Sequence, residues 1–183
     1  MRFWDASAVV PVCIGQTFSG LVRSIYVGDP QIVVWWGTRS ECLTAFARLV
    51  REGRHTAASD EATRRLLREL LAVATEVAPT EEVRDRADRL LAVHPLRAAD
   101  ALQLGAALIW TRERPSGVHF VSLDVRLRDA AAKEGFAVVP DLGTPTTTSR
   151  RWRLGLLKAE PAEATVRVMS PPASVSPVPL PAL

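Results

Sequence analysis

The chain has 183 residues, 48% of them hydrophobic, and a net charge of +3. This length is enough to bury the core of one domain, and no apolar run approaches the roughly 18 residues that a membrane span needs. Two cysteines, Cys13 and Cys42, are too few for a disulfide framework and lack metal-ligand spacing, so we expect both to be buried and reduced. The first residues lack a signal-peptide layout, and we expect a cytoplasmic protein without membrane contact.

The net positive charge comes entirely from the C-terminal part of the chain. Residues 144–183 hold five basic and two acidic residues, whereas residues 1–143 hold 18 of each and are neutral. Composition therefore gives no indication of a basic nucleic-acid-binding body. Residues 144–183 also hold seven of the 13 prolines. We predict a folded domain over 1–143 and a Pro-rich, mostly disordered tail over 144–183.

Strands alternate with helices along residues 1–143. A short apolar run at 2–4 ends at Asp5, and a brief helix that begins at Ser7 follows. The later elements are predicted as a helix at 17–27, a strand at 31–36, a helix from Thr38 to Gly53, helices at 60–77 and 80–94, a buried helix after Pro95, a strand at 118–124, a helix ending at Gly135 and a strand at 136–139. This alternation predicts a parallel sheet covered by helices on both faces.

Four acidic residues lie at the ends of these elements, and each has a local explanation. Asp5 fits an Asx turn and Asp124 an N-cap. Glu41 fits a capping box that begins at Thr38, and Asp100 is favoured by the dipole of its helix. In an open parallel sheet, however, the carboxyl ends of strands and the starts of the following helices share one edge, where ligands bind. We therefore expect the four acids to lie together.

Grouped carboxylates predict a divalent-cation site, because they repel one another at neutral pH unless a cation lies between them. Oxygen ligands without a His or Cys cluster favour Mg²⁺ or Mn²⁺ over zinc, and the three histidines are scattered. Such a cation supports phosphoryl chemistry by activating water and offsetting charge on the phosphate. Ser7 and Ser122, each two residues from an acid, fit either a bond to a water or phosphate oxygen or an ordinary local role.

Residues 1–142 resemble the PIN domain, particularly the toxins of VapBC toxin–antitoxin pairs. The resemblance rests on the order and spacing of the four acids and on the segments FWDASAVV, TRSECLTAFARL, LRAADALQLGAAL and FVSLDVRLRDAAAKEGFAVV. It implies a three-layer α/β/α sandwich around a central parallel sheet and a Mg²⁺- or Mn²⁺-dependent ribonuclease. On this resemblance, Asp5, Glu41, Asp100 and Asp124 are the catalytic and metal-binding acids, and Ser7 occupies the small hydroxyl position after the first acid.

The resemblance also implies a homodimer, an RNA substrate and a cognate antitoxin whose C-terminal segment lies over the active-site groove. The tail after Gly143 departs from the family pattern, so the resemblance assigns no function to residues 144–183. Three arginines near the acids are candidates to contact RNA phosphates: Arg39, Arg97 and Arg126.

Three other functions are weighed against an RNA-cleaving toxin. A nuclease acting on DNA would use the same acids. The short chain and the lack of a long helical insertion make one type, a flap nuclease, a weaker candidate. A phosphatase on another scaffold is disfavoured because Ser7, not a second acid, lies two residues after Asp5. A catalytically silent scaffold that binds RNA or a protein is disfavoured by the presence of all four acids.

Overall fold

The computed structural model describes residues 1–142, so the predicted tail at 144–183 lies outside the described residues. Strands and helices alternate over this range. In chain order they are β1 Arg2–Trp4, α1 Ala6–Cys13, α2 Ser19–Gly28, β2 Ile32–Trp35, α3 Thr38–Arg51, α4 Ala57–Ala72, β3 Thr75–Val77, α5 Glu81–Val93, α6 Ala98–Trp110, β4 His119–Val121, α7 Val125–Lys133 and β5 Ala137–Val139. Among the helices of this range, none combines the length and the apolar composition of a membrane span.

All five strands of the described range form one parallel sheet in the order β3-β2-β1-β4-β5. In the central strand β1, Phe3 pairs with Val33 of β2 on one side and with Phe120 of β4 on the other. The chain runs outward from β1 to β3 and then crosses to β4 on the opposite side. The strand order therefore reverses between β1 and β4, and the carboxyl ends of these two strands flank the crevice where open α/β sheets bind ligands.

Helices cover both faces of the sheet, which makes the fold a three-layer α/β/α sandwich, as predicted. Consecutive residues of β1 divide between the two layers, because successive strand side chains point to opposite faces. Trp4 packs into a core with α1, α2, α3 and α4, whereas Phe3 packs into a second core with α5, α6 and α7. Cys13 and Cys42 are free and buried in the first core, as expected.

The segment before Pro79 differs from the prediction of one helix over 60–77. Helix α4 ends at Ala72, and Thr75–Val77 form the edge strand β3, which pairs with β2. Its side chains are mostly exposed, so no buried alternation identified a strand in the sequence. Pairing with the β-branched strand β2 outweighs the helical periodicity that runs into this segment.

Candidate functional site

Asp5 is the best-buried acid of the site, with only 4% of the residue exposed. It follows β1 and is the N-cap of α1, whose first residue is Ala6. The predicted start of this helix at Ser7 is therefore wrong by one or two residues. The Asp5 Oδ2 atom accepts hydrogen bonds from the Ser7 N–H at 3.2 Å, as in an Asx turn, from the Ser7 hydroxyl, and from Ser122 Oγ at 2.9 Å. Burial raises the pKa of Asp5 to about 6, against the opposing effect of these hydrogen bonds.

Ser7 joins the two loops that flank the reversal in strand order. Its hydroxyl donates to Asp5 and accepts the backbone N–H groups of Leu123 at 2.8 Å and Asp124 at 3.2 Å. The Ser122 hydroxyl repeats this pattern, since it donates to Asp5 and accepts the Asp124 N–H at 3.1 Å. The two serines therefore fix the carboxyl end of β1 against the carboxyl end of β4.

Glu41 lies in the first turn of α3, but the predicted capping box is absent. The N-cap is Gly37 without a side-chain hydrogen bond, and Thr38 is the first helical residue. The Thr38 hydroxyl instead donates to Gln103 Oε1 at 3.4 Å. Burial, followed by the charge of Asp5, raises the pKa of Glu41 to about 7. Glu41 is therefore held by tertiary contacts and not by the start of its own helix.

Gln103 is a site residue that was not predicted from the sequence. It is fully buried in α6, and its Nε2 atom donates to Asp5 Oδ1 at 2.8 Å and to Glu41 Oε2 at 3.2 Å. A signal was present in the sequence, because Gln103 is the one polar side chain in the apolar run 101–110. It lies one helical turn after Asp100, so the argument that marked Asp100 as unusual applies to Gln103 as well.

Asp100 lies where α6 emerges from the core. The prediction of an almost wholly buried helix is wrong for its first turn, since Ala98 and Ala99 are exposed and burial begins at Ala101. Asp100 is half-buried, and its Oδ2 atom accepts the Arg97 N–H at 3.3 Å. Burial raises the pKa of Asp100. The carboxylate therefore has a local role at the helix start and is still accessible from the sheet edge.

Asp124 is the N-cap of α7, as predicted from the sequence. Its Oδ1 atom accepts the N–H groups of Arg126 and Leu127, both at 2.9 Å. Both bonds use the same carboxylate oxygen. Asp124 therefore stabilises the start of α7 and places a negative charge beside Asp5 and Asp100.

Hydrogen bonds and charge effects connect the four acids. Gln103 donates to both Asp5 and Glu41, and the Ser7 hydroxyl bonds both Asp5 and the Asp124 N–H. The charge of Asp124 contributes to the raised pKa values of Asp5 and Asp100, and the charges of Asp5 and Asp100 contribute to that of Glu41. The structure thus brings all four predicted acids together at the carboxyl edge of the sheet. Their role as catalytic residues or metal ligands stays a prediction.

The donor set of this edge suits a hard divalent cation. Within residues 1–142, no group of three or more His, Cys, Asp and Glu side chains is placed so that it could hold a metal ion as it stands. The oxygens that converge there are nevertheless those of carboxylates and hydroxyls, which Mg²⁺ and Mn²⁺ prefer, while Gln103 presents its amide nitrogen. A cation among the carboxylates would also offset the repulsion that raises the pKa values of Glu41 and Asp100. The residues therefore fit the predicted cofactor by chemistry.

Of the three arginines expected near the acids, Arg97 and Arg126 lie close to Asp100, whereas Arg39 lines a groove between α3 and α4. Arg39 lies in the first turn of α3, Arg97 is the N-cap of α6, and Arg126 lies in the first turn of α7. All three residues are exposed. The positive charges of Arg126 and Arg97 oppose the rise in the pKa of Asp100. Contact of these arginines with RNA phosphates stays a prediction.

The chain matches no protein-family model and no curated protein. Membership of the PIN family therefore stays a prediction from the sequence resemblance.

Proposed function

We propose that this protein is a Mg²⁺- or Mn²⁺-dependent endoribonuclease that acts as the toxin of a toxin–antitoxin pair. One observation carries the proposal: Asp5, Glu41, Asp100 and Asp124, far apart in sequence, lie at the edge where the strand order reverses, and hydrogen bonds through Gln103 and Ser7 join Asp5 to Glu41 and to the Asp124 N–H. Natural proteins seldom gather like charges without a ligand that requires them. The resemblance to PIN-domain toxins supplies the substrate class, RNA, and the biological role.

The four acids would hold the cation, which would supply an activated water and stabilise negative charge on the phosphate. Asp5 is the candidate ligand held by the most side chains, because Ser7, Ser122 and Gln103 all donate to it. This arrangement fixes the carboxylate before any ligand arrives, and it reduces the reorganisation needed for binding.

Glu41 suits the role of a proton acceptor. Its carboxylate is half-buried beside Asp5, and a bound cation would lower its pKa from about 7 and so keep it charged and able to accept a proton at neutral pH. One of its oxygens, Oε2, is held by Gln103. We therefore assign Glu41 either direct contact with the cation or the orientation of the attacking water.

Arg97 and Arg126 would contact the RNA backbone beside the cleaved bond. The neutral charge of residues 1–143 makes such local cations necessary, because the body provides no overall positive field.

The proposal is tested by incubating RNA with the purified wild type and with Asp100→Asn, in Mg²⁺ and in EDTA. We expect the wild type to cleave RNA only with Mg²⁺, and Asp100→Asn to lose most of this activity. Asp129→Asn is the matched control, because Asp129 is exposed on α7 and pairs with Lys133. Equal cleavage by wild type and Asp100→Asn, or cleavage in EDTA, would overturn the proposal. Cleavage of DNA alone would favour the DNA nuclease, and RNA binding without cleavage the silent scaffold.

The role as a toxin has a separate test in a growing bacterial culture. Induced expression of the wild type is expected to arrest growth, and Asp100→Asn is expected to leave growth unchanged. Co-expression of a small protein encoded next to this chain is expected to restore growth if that protein is the antitoxin. Sedimentation of the purified chain tests the proposed homodimer. Unimpeded growth with a protein that cleaves RNA in vitro would remove the toxin assignment and keep the nuclease.

A further inference from the structure

A groove of about 390 Å³ lies between α3 and α4. Arg39 and Leu43 line it from α3, and Leu67 and Leu71 line it from α4, whereas none of the four acids is among its lining residues. Residues 39 and 43 are one turn apart on α3, and Glu41 is offset from both by about 160° around the helix axis. The groove and the candidate active site therefore lie on different sides of α3.

The floor of the groove is apolar and only partly covered. Leu67 is buried in the first core, whereas Leu43 and Leu71 pack against that core and remain half-buried. Leu67 and Leu71 are one turn apart, so apolar side chains repeat at about 6 Å along the α4 wall. A helix that docks between two helices presents its own apolar side chains at the same i, i+4 repeat. The floor therefore fits the apolar face of a third helix.

The rim of the groove is mainly basic. Its charged lining residues are Arg39, Arg64 and Arg68 against the single acid Glu76. Arg39 is exposed and has no hydrogen-bond or ion-pair partner within residues 1–142. Arg64 and Arg68 each bond one acid of their own helix through a single nitrogen, and a guanidinium has five N–H donors. The rim can therefore accept further carboxylates, although the body as a whole is neutral.

We infer that the groove between α3 and α4 docks an acidic amphipathic helix of a protein partner. The apolar side chains of that helix contact Leu43 and Leu71, and its carboxylates pair with Arg39 and Arg68. A nucleic-acid strand would use the arginines but not the leucine floor. Residues 144–183 of this chain are basic, so they do not match the charge of the rim. This docking surface does not depend on the proposed ribonuclease function.

The probe is a fluorescein-labelled peptide of about 16 residues with Leu along one helical face, Glu beside that face and Ala elsewhere. Anisotropy measures its binding, and we expect the wild type to bind it at least about tenfold more tightly than the same peptide with Lys for Glu. Arg39→Glu and Arg68→Glu are each expected to weaken binding about fivefold, and the variant with both changes to prefer the Lys peptide. Arg65→Glu is the matched control, because Arg65 is exposed on α4 but does not line the groove.

Equal binding of the Glu and Lys peptides by the wild type overturns the docking surface, and so does an equal loss of affinity in Arg65→Glu and Arg68→Glu. Binding of single-stranded RNA in EDTA that depends on Arg39 and Arg68, without peptide binding, assigns the groove to nucleic acid instead. A dimer that sedimentation finds for the wild type but not for the double variant, again without peptide binding, assigns it to a second copy of this chain. Asp100→Asn is expected to bind the Glu peptide as the wild type does, so the docking surface and the ribonuclease are tested separately.

Discussion

Gln103 donates to Asp5 at 2.8 Å although the two residues are 98 positions apart in the sequence. The same nitrogen donates to Glu41 at 3.2 Å, and the amide oxygen accepts the hydroxyl of Thr38 at 3.4 Å. One buried amide thus uses both N–H groups on two carboxylates that repel each other. From the second turn of α6, this amide connects the end of β1 with the first turn of α3. It thereby holds the two acids in place without a cation.

Replacement of Gln103 by Leu removes both donors from the buried acids. We expect RNA cleavage to fall at least tenfold, because Asp5 and Glu41 lose the group that orients them. We also expect the free energy of unfolding to fall by about 1–3 kcal/mol, since buried acceptors and the Thr38 hydroxyl lose their partner. Cleavage rates and urea denaturation at pH 7.5 measure the two effects.

Thr38→Val is the matched control for this substitution. It leaves both carboxylate contacts of Gln103 intact and removes only the long hydrogen bond from Thr38. We expect it to cost less stability than Gln103→Leu and to retain most of the cleavage activity. Full activity in Gln103→Leu would show that the amide does not position the acids.

The raised pKa values of Asp5 and Glu41 predict an inverse dependence of stability on pH in EDTA. In the folded state burial raises the pKa of Asp5 to about 6 and that of Glu41 to about 7, above their ordinary values of 3.8 and 4.5. The folded protein therefore binds protons more tightly than the unfolded chain. The stabilisation from these two groups is fully present below about pH 3.8 and is lost as pH rises through about 6 for Asp5 and about 7 for Glu41. Urea denaturation in EDTA between pH 5 and 8 measures this loss.

Glu41→Gln isolates one of the two groups. Its side-chain amide can still accept from Gln103 but carries no charge, so we expect the variant to be more stable than wild type at pH 8. The gain is on the order of 1–2 kcal/mol after allowance for solvent screening of this half-buried side chain, and it is expected to shrink at pH 5. Mg²⁺ is expected to reduce the difference by stabilising the wild type. A gain that is equal at both pH values would contradict the assigned titration.

The layers of the fold and the position of the four acids at one sheet edge could be predicted from the sequence, because both follow from the order of strands and helices along the chain. Alternating strands and helices fix a parallel sheet, and acids that follow strands, such as Asp5 and Asp124, must then reach one edge. Features set by contacts between distant segments were missed. Thr75–Val77 form a strand because they pair with β2. Thr38 does not form the expected capping box, and its hydroxyl donates to Gln103 instead.

Arg128 stabilises the loop that holds Ser122 and Asp124 through hydrogen bonds to backbone carbonyls. Its guanidinium donates to the carbonyls of Ser122 at 2.8 Å and Pro140 at 2.7 Å, which joins the end of β4 to the segment after β5. Arg128→Met leaves both carbonyls without this donor, and we expect a loss of about 1–3 kcal/mol in the free energy of unfolding. Arg126→Met, an exposed position on the same helix, is expected to change stability by less than about 0.5 kcal/mol. Thermal and urea denaturation of the two variants measure the difference, and equal stabilities would contradict the role of Arg128.

Gly105 sets how closely α5 and α6 approach, and thereby where α6 presents Asp100 and Gln103. A Cβ atom at this position would lie 3.1 Å from the carbonyl oxygen of Val83 and 3.2 Å from the backbone nitrogen of Ala87. Neither backbone atom can give way without moving a helix, so we expect Gly105→Ala to cost about 1–3 kcal/mol of stability.

Gly20→Ala provides the comparison for Gly105→Ala, because Gly20 is also helical but has no atom within 4 Å of a new Cβ. There we expect a gain of up to about 1 kcal/mol, the ordinary preference of a helix for Ala over Gly. Urea denaturation of both variants gives the two values. Because a shifted α6 would also displace Gln103 from Asp5, cleavage by Gly105→Ala is expected to fall under conditions where the variant is fully folded. Unchanged stability and activity in Gly105→Ala would show that the contact between the two helices has room for a methyl group.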